Sequence, residues 1–153
     1  MKKTVITYGT FDLFHIGHLN LLNNLKSLGD ELIVAVSTDE FNTLKGKKTI
    51  VPFEDRIEIV RNIKSVDLAI PESDWQQKEK NIKEFNVSIF GMGHDWQNKF
   101  NDLKVFCEVI YLPRTEDVSS TSLKQKLKIL DRSHITDLKH TLDLISSIVE
   151  RFE

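Results

Sequence analysis

Five short apolar runs rich in β-branched residues recur along the chain: Thr4 to Tyr8, Leu32 to Ser37, Val66 to Ile70, Val87 to Phe90 and Val109 to Leu112. Each is continuous rather than alternating, the mark of a strand covered on both faces. Between them, His18 to Leu28, Phe53 to Lys64, Trp75 to Phe85 and Ser120 to Leu130 have apolar residues at helical spacing. Strand and helix in alternation predict an α/β fold, a doubly wound parallel sheet of five strands with helices on both faces and right-handed crossovers.

The segment from Ser133 to Glu153 breaks this rhythm. Ile135, Leu138, Leu142, Ile145, Val149 and Phe152 are spaced 3, 4, 3, 4 and 3, which puts them on one stripe of a helix away from Asp137, Lys139, Asp143 and Glu150. The expected organisation is a domain over residues 1–130 and a C-terminal amphipathic helical extension over 131–153. The stripe needs a surface to cover it, either the parent domain or a second copy of the chain.

Composition narrows the function. The 153 residues carry 21 Lys plus Arg against 23 Asp plus Glu, a net charge of -2, and 40% are hydrophobic. That suits an ordered globular core and disfavours a protein that coats nucleic acid, which needs a basic face. A local anion site is compatible with it. Cys107, the single cysteine, has no partner for an internal disulfide, and no Cys/His cluster offers a zinc site. The chain has no secretory leader pattern and no run near the roughly 18 apolar residues of a membrane span. A cytoplasmic protein that does not insert in membranes is expected.

In doubly wound sheets ligands bind beyond the carboxyl ends of the strands, where strand order reverses. The polar segments there are Gly9 to His18, Asp39 to Lys48, Pro71 to Lys78, Gly91 to Trp96 and Pro113 to Thr121. In the first, His15 and His18 flank Gly17 at the start of a helix. Unpaired N–H groups and the positive dipole end of a helix favour an anion there, and glycine permits close backbone approach. The plain alternative is that both histidines cap the helix. Near the other end, Arg114 is followed by Ser119, Ser120 and Thr121 at a second helix start, a second anion cradle. Lys45-Gly46-Lys47-Lys48 reads by itself as a solvated charge run. Trp75 and Lys78 are one helical turn apart, and Arg56 has no visible partner and fits a surface position. No Ser/His/Asp or Cys/His nucleophile arrangement is evident.

The segment GTFDLFHIGH at Gly9 to His18 resembles the signature of the cytidylyltransferase family of nucleotidyltransferases. RTEDVSST, from Arg114 to Thr121, resembles the RTEGIST motif of that family. STDEFN from Ser37, Lys45 and Lys47, Arg56, VDLAIPESDW from Val66 and GHDW, centred on His94 and Asp95, are similar to the members that act on glycerol 3-phosphate. The resemblance spans about residues 1–128 and implies a Rossmann-like fold, a homodimer, and transfer of a cytidylyl group from CTP to sn-glycerol 3-phosphate. The products would be CDP-glycerol and pyrophosphate, the former for a teichoic-acid-like or capsular polymer. Ribitol 5-phosphate, phosphocholine or phosphoethanolamine as acceptor, ATP as donor, and a nucleotide-binding module without turnover stay open.

The resemblance also implies roles. His15 and His18 would hold the triphosphate as pyrophosphate departs, with Thr10, Phe11 and Gly17 against the nucleotide. Lys45, Lys47 and Arg114 would act on the phosphates, with Thr115, Ser119, Ser120, Thr121 and Asp95 completing the CTP site. Lys45, Lys78, Trp75 and Arg56 would bind the acceptor. The chain departs from the pattern at Lys64 (arginine expected), His94 (acidic), Asp117 (glycine) and Ser120 (threonine). Clustered phosphates call for Mg²⁺ held mainly by substrate oxygens. Asp12 is the nearest carboxylate in sequence, and no residue is assigned as a metal ligand.

Overall fold

β1 (Thr4–Gly9) lies at the centre of a five-stranded, all-parallel sheet of order β3-β2-β1-β4-β5, in a computed structural model that describes residues 1–116, 118–128 and 134–151. β2 (Glu31–Ser37) and β4 (Ile89–Gly93) flank it, with Val5 paired to both Leu32 and Ile89. β3 (Leu68–Glu72) and β5 (Glu108–Leu112) form the edges and are less buried. The chain winds outward from β1 through β2 to β3, then crosses back to β4 and β5. Strand order therefore reverses between β1 and β4, and the crevice of this Rossmann-like fold opens at their carboxyl ends.

Alternate residues of the continuous apolar runs serve two cores. Val5, Leu32, Val34, Val36 and Ile89 face Leu22 and Leu25 of α1 (Ile16–Lys26) and Ile57 and Val60 of α3 (Phe53–Arg61). Ile6, Tyr8, Ile33, Ala35, Phe90 and Met92 face Ile82 of α4 (Gln77–Glu84) and Leu103 of a 3₁₀ turn, Asn101–Val105. Burial on both faces is why these strands do not alternate. At Gly91 a Cβ would stand 2.2 Å from Leu25 Cδ2, so the glycine lets α1 lie against the sheet.

Several boundaries differ from the expectation, among them the start of α1 at Ile16, the end of α3 at Arg61 and the start of β4 at Ile89. α4 begins at Gln77, leaving Trp75 in the turn before it, and β3 begins at Leu68 rather than Val66. One element was not expected: α2 (Asp39–Leu44) occupies the first half of the segment read as a polar loop. Six residues are too few for a periodic signal, but the local signals are complete. Thr38 Oγ1 caps Phe41 N–H at 3.2 Å, and Asp39 and Glu40 lie in the first turn. Gly46, at φ 71°, ends the helix in a Schellman motif, with Lys47 N–H donating to Asn42 O and Gly46 N–H to Thr43 O.

The chain divides into two compact units, Met1–Val118 with the sheet and Ser119–Glu153. The second holds α5 (Ser120–Lys128) and α6 (His134–Val149). Along α6 the expected stripe of Ile135, Leu138, Leu142, Ile145 and Val149 is exposed, and Leu144 and Ile148 widen it. Phe152, Asp117 and the helix ends expected at Leu130 and Ser133 lie outside the described residues. Among the described residues no helix is long and apolar enough to cross a membrane.

Candidate active site

The segment after β1 is held in a demanding conformation. Phe11 and Leu13 have φ of 53° and 50°, a left-handed backbone that side chains ordinarily avoid. Burial of Phe11 and of Asp12, 2% exposed, stabilises it. Asp12 accepts the N–H groups of Ile50 (2.8 Å) and Val51 (2.9 Å), tying the segment after α2 to the first loop. Thr10 Oγ1 donates to Asn42 Oδ1 of α2 at 3.1 Å.

The two histidines cap α1 reciprocally. His15 Nδ1 accepts Gly17 N–H at 3.0 Å, and His18 Nδ1 accepts His15 N–H at 3.3 Å. Capping and anion binding are therefore not rival roles. With Nδ1 accepting, each neutral ring carries its proton on Nε2 and keeps a donor for a ligand. The rings stack with centroids 3.9 Å apart, and Phe11 and Phe14 pack on His18. Burial, reinforced by His15, pushes the His18 imidazole down to about 4. His15 is lowered by burial and by Arg114. Gly17 is required by His15 itself: a Cβ there would stand 2.8 Å from His15 Cε1.

Of the other predicted residues, Thr115 and Arg114 lie beside this loop. Thr115 accepts from Asn20 Nδ2 at 3.3 Å, its Cβ 3.8 Å from where a Gly17 Cβ would be. Arg114 Nη1 meets Asp95 Oδ1 at 3.4 Å, both more than half exposed, Asp95 lying in the 3₁₀ turn His94–Trp96 after β4. Lys47 is exposed, its Nζ 5.3 Å from the centroid of the Trp96 ring. In the second unit, Ser119 Oγ accepts Ser122 N–H at 2.9 Å as a cap, and Ser120 and Thr121 form the first turn of α5. Lys64 and His94 are exposed.

Lys45 and Lys78 meet in an aromatic box. Lys78 Nζ lies 4.6, 5.1 and 5.6 Å from the centroids of Tyr8, Trp75 and Phe100, and Lys45 Nζ lies 4.4 and 5.8 Å from Phe41 and Trp75. Lys78 thus reaches Trp75, although the two do not share a helix. Between the ammonium groups sits Glu72, 3% exposed. Lys78 donates to Glu72 Oε1, Ser37 Oγ donates to Glu72 Oε2 at 2.6 Å, and Lys45 Nζ donates to Ser37 Oγ at 3.0 Å. Desolvation brings the Lys45 ammonium down to about 8 against the opposing pull of Glu72. Tyr8, bonded to Asn81, is pushed above its ordinary value chiefly by burial.

Arg56 corrects the surface reading. It is 0% exposed and joins three segments: Nε donates to Val51 O, Nη1 to Thr10 O and Ser37 O, and Nη2 to Asp39 Oδ1. Asp39 also accepts Phe53 N–H, the main cause, with Arg56, of a carboxyl held below its usual range. Ser37, Asn42 and Glu72 were not singled out by sequence reasoning, because their partners lie on other elements. The available signal was a carboxylate ending an apolar strand. Among the described residues no group of three His, Cys, Asp or Glu could hold a metal ion. Both Asp12 oxygens accept backbone N–H groups.

Comparison with known proteins agrees with this geometry. The model of the family described as cytidylyltransferase-like matches residues 6–126. Glycerol-3-phosphate cytidylyltransferase of Staphylococcus aureus is 54% identical over 125 residues, 82% of this chain and 95% of that protein. The Bacillus subtilis protein of the same name is 54% identical over 127 residues, 83% of this chain and 98% of its own. Among solved structures, a lipopolysaccharide core biosynthesis protein from Thermoplasma volcanium GSS1 superposes with a TM-score of 0.65 at 28% identity, covering 76% of this chain and all of that one.

Proposed function

The chain belongs to the cytidylyltransferase-like family, and we propose that it transfers the cytidylyl group of CTP to sn-glycerol 3-phosphate, giving CDP-glycerol and pyrophosphate. An oxygen of the acceptor phosphate attacks the α-phosphorus in line as the bond to the β-phosphate oxygen breaks. That oxygen is already anionic near neutral pH, since a phosphomonoester loses its second proton around 6. The chemistry needs no general base, and catalysis rests on positioning and charge stabilisation.

His15 and His18 supply neutral Nε2–H donors to the triphosphate and to the charge that grows on the leaving pyrophosphate. Preformed caps and stacked rings fix both imidazoles before substrate arrives, so little reorganisation is left for the reaction itself. Lys47 and Arg114 add mobile positive charge at the crevice mouth, and Thr10, Phe11, Thr115 and Asp95 serve the nucleotide. Mg²⁺, carried on the phosphates, would supply charge neutralisation.

The observation that carries the choice of acceptor is the pair of lysines in the aromatic box. Rings that could cage a quaternary ammonium already hold the ammonium groups of Lys45 and Lys78. An acceptor with a cationic end meets like charge there, whereas a phosphorylated polyol meets two ammonium groups and Trp75. We assign the product to a teichoic-acid-like or capsular polymer, the enzyme to the cytoplasm, and a second copy of the chain to the exposed stripe of α6.

Pyrophosphate release with CTP and Mg²⁺ against glycerol 3-phosphate, ribitol 5-phosphate, phosphocholine and phosphoethanolamine tests the reading. The expected result is strong preference for glycerol 3-phosphate and loss of turnover with chelator. Preference for phosphocholine would overturn the acceptor assignment, and nucleotide affinity without release would make the protein a binding module.

A further inference from the structure

Glu72 has no part in the reaction just described, yet it is a carboxylate at 3% exposure between two ammonium groups. Its bonds are directional: one oxygen takes Lys78, and the other takes the Ser37 hydroxyl, which in turn receives Lys45. The side chains of Lys45 and Lys78 are themselves 9% and 6% exposed. Two buried ammonium groups sharing one box repel each other and lose hydration, so a fixed anion between them is needed to hold both in place.

We propose that Glu72 is a positioning residue for acceptor binding, holding Lys78 by a direct ion pair and Lys45 through the Ser37 hydroxyl, so that the box presents a prearranged pair of ammonium groups to the acceptor's phosphate. The inference rests on the acceptor reading above. Glu72 touches neither acceptor nor nucleotide in this account and acts only through the lysines. Its effect belongs to the acceptor's KM, because the CTP phosphates are assigned to the histidine loop.

Loss of the carboxylate has a chemical consequence beyond lost packing. Lys45 is already depressed to about 8 with Glu72 in place, so removing the charge lowers it further and leaves an amine near neutral pH. The charged or titratable groups facing this cluster are Lys47 beyond α2, Arg56 on α3, Lys78 on α4 and Tyr8 on β1, with Cys107 reaching Tyr8. The cations oppose protonation of Lys45. Tyr8, held in its neutral form, does not compensate for the missing carboxylate.

The test compares wild type, Glu72→Gln, Glu72→Asp and Ser37→Ala in steady-state assays with both substrates varied. Wild-type turnover with glycerol 3-phosphate comes first: its absence overturns the proposed function and this assignment with it. Given turnover, Glu72→Gln is expected to raise the acceptor KM roughly tenfold or more at pH 7.5, the equivalent of about one pKa unit at one ammonium, with CTP KM within about threefold. The ratio of variant to wild-type acceptor KM should shrink as the pH is lowered to 6.5 and Lys45 regains its proton, a response that damaged packing would not produce. Glu72→Asp should recover part of the loss. Ser37→Ala, which keeps the Glu72–Lys78 pair, gives an independent and smaller rise in acceptor KM if Glu72→Gln fails to fold. An unchanged acceptor KM in either Glu72→Gln or Ser37→Ala, or equal rises for both substrates, overturns the assignment alone.

Discussion

A histidine that caps a helix through Nδ1 has its tautomer chosen before any ligand arrives, and here two do so within one turn. His18→Ala should therefore lower kcat by about two to three orders of magnitude, the usual cost of one preorganised donor, in a variant whose circular dichroism is unchanged. Near-normal turnover would remove His18 from the mechanism. Because burial keeps His18 neutral until about 4, the acid limb of kcat/KM near pH 6 should belong to the acceptor phosphate. Above that limb the acceptor is a dianion and the His18 ring is neutral. At the other side, activity should fall above about 8 as Lys45 loses its proton. A phosphonate analogue with a higher second ionisation should move the acid limb upward, and a fixed limb would assign it to the enzyme. The histidine motif was legible in sequence because its parts are adjacent. The partners of Arg56, and Glu72 itself, were not, because Thr10, Ser37, Lys45 and Lys78 come from other elements.

Among the elements, α2 is the one that periodicity missed and the site depends on. Its Schellman ending makes Lys45 the last half-helical residue and sends Lys47 out beyond Gly46, so one lysine enters the aromatic box while the other stays exposed. A Cβ at Gly46 would meet nothing within 4 Å, and the cost of Gly46→Ala is thus purely conformational, about 1 kcal/mol. The variant should melt slightly earlier and bind both substrates more weakly, while Gly46→Asn, which tolerates the left-handed region, should recover most of the loss. Arg56 joins the post-β1 loop, the end of β2 and the start of α3. Arg56→Met takes the guanidinium away from the carbonyls of Thr10, Ser37 and Val51 and from the Asp39 carboxylate and should cost about 3 kcal/mol or more in urea denaturation. Stability within about 0.5 kcal/mol of wild type would show that water replaces the guanidinium without penalty.

For the whole molecule, the alternation of apolar runs and helical stretches was enough to read a doubly wound sheet, because burial on both faces removes the period of two from every central strand. Strand order was not legible, since nothing local distinguishes a crossover to the left of β1 from one to the right. The stripe of α6 was legible from its spacing, and its partner was not. Truncation after Leu130 is expected to reduce the number of copies per particle at a fixed concentration if a second copy covers that stripe, as light scattering reads from the mass relative to the chain; an unchanged number of copies would count against that assembly. The family model stops at residue 126, so turnover should survive the truncation. Cytidylyl transfer to glycerol 3-phosphate can be followed by ³¹P NMR of the protein with CTP, Mg²⁺ and glycerol 3-phosphate. Paired resonances of a diphosphate diester should grow in step with pyrophosphate, and none should appear when either substrate is omitted. Retention of the CTP and glycerol 3-phosphate signals without new diester, in a folded protein that binds CTP, would contradict that transfer.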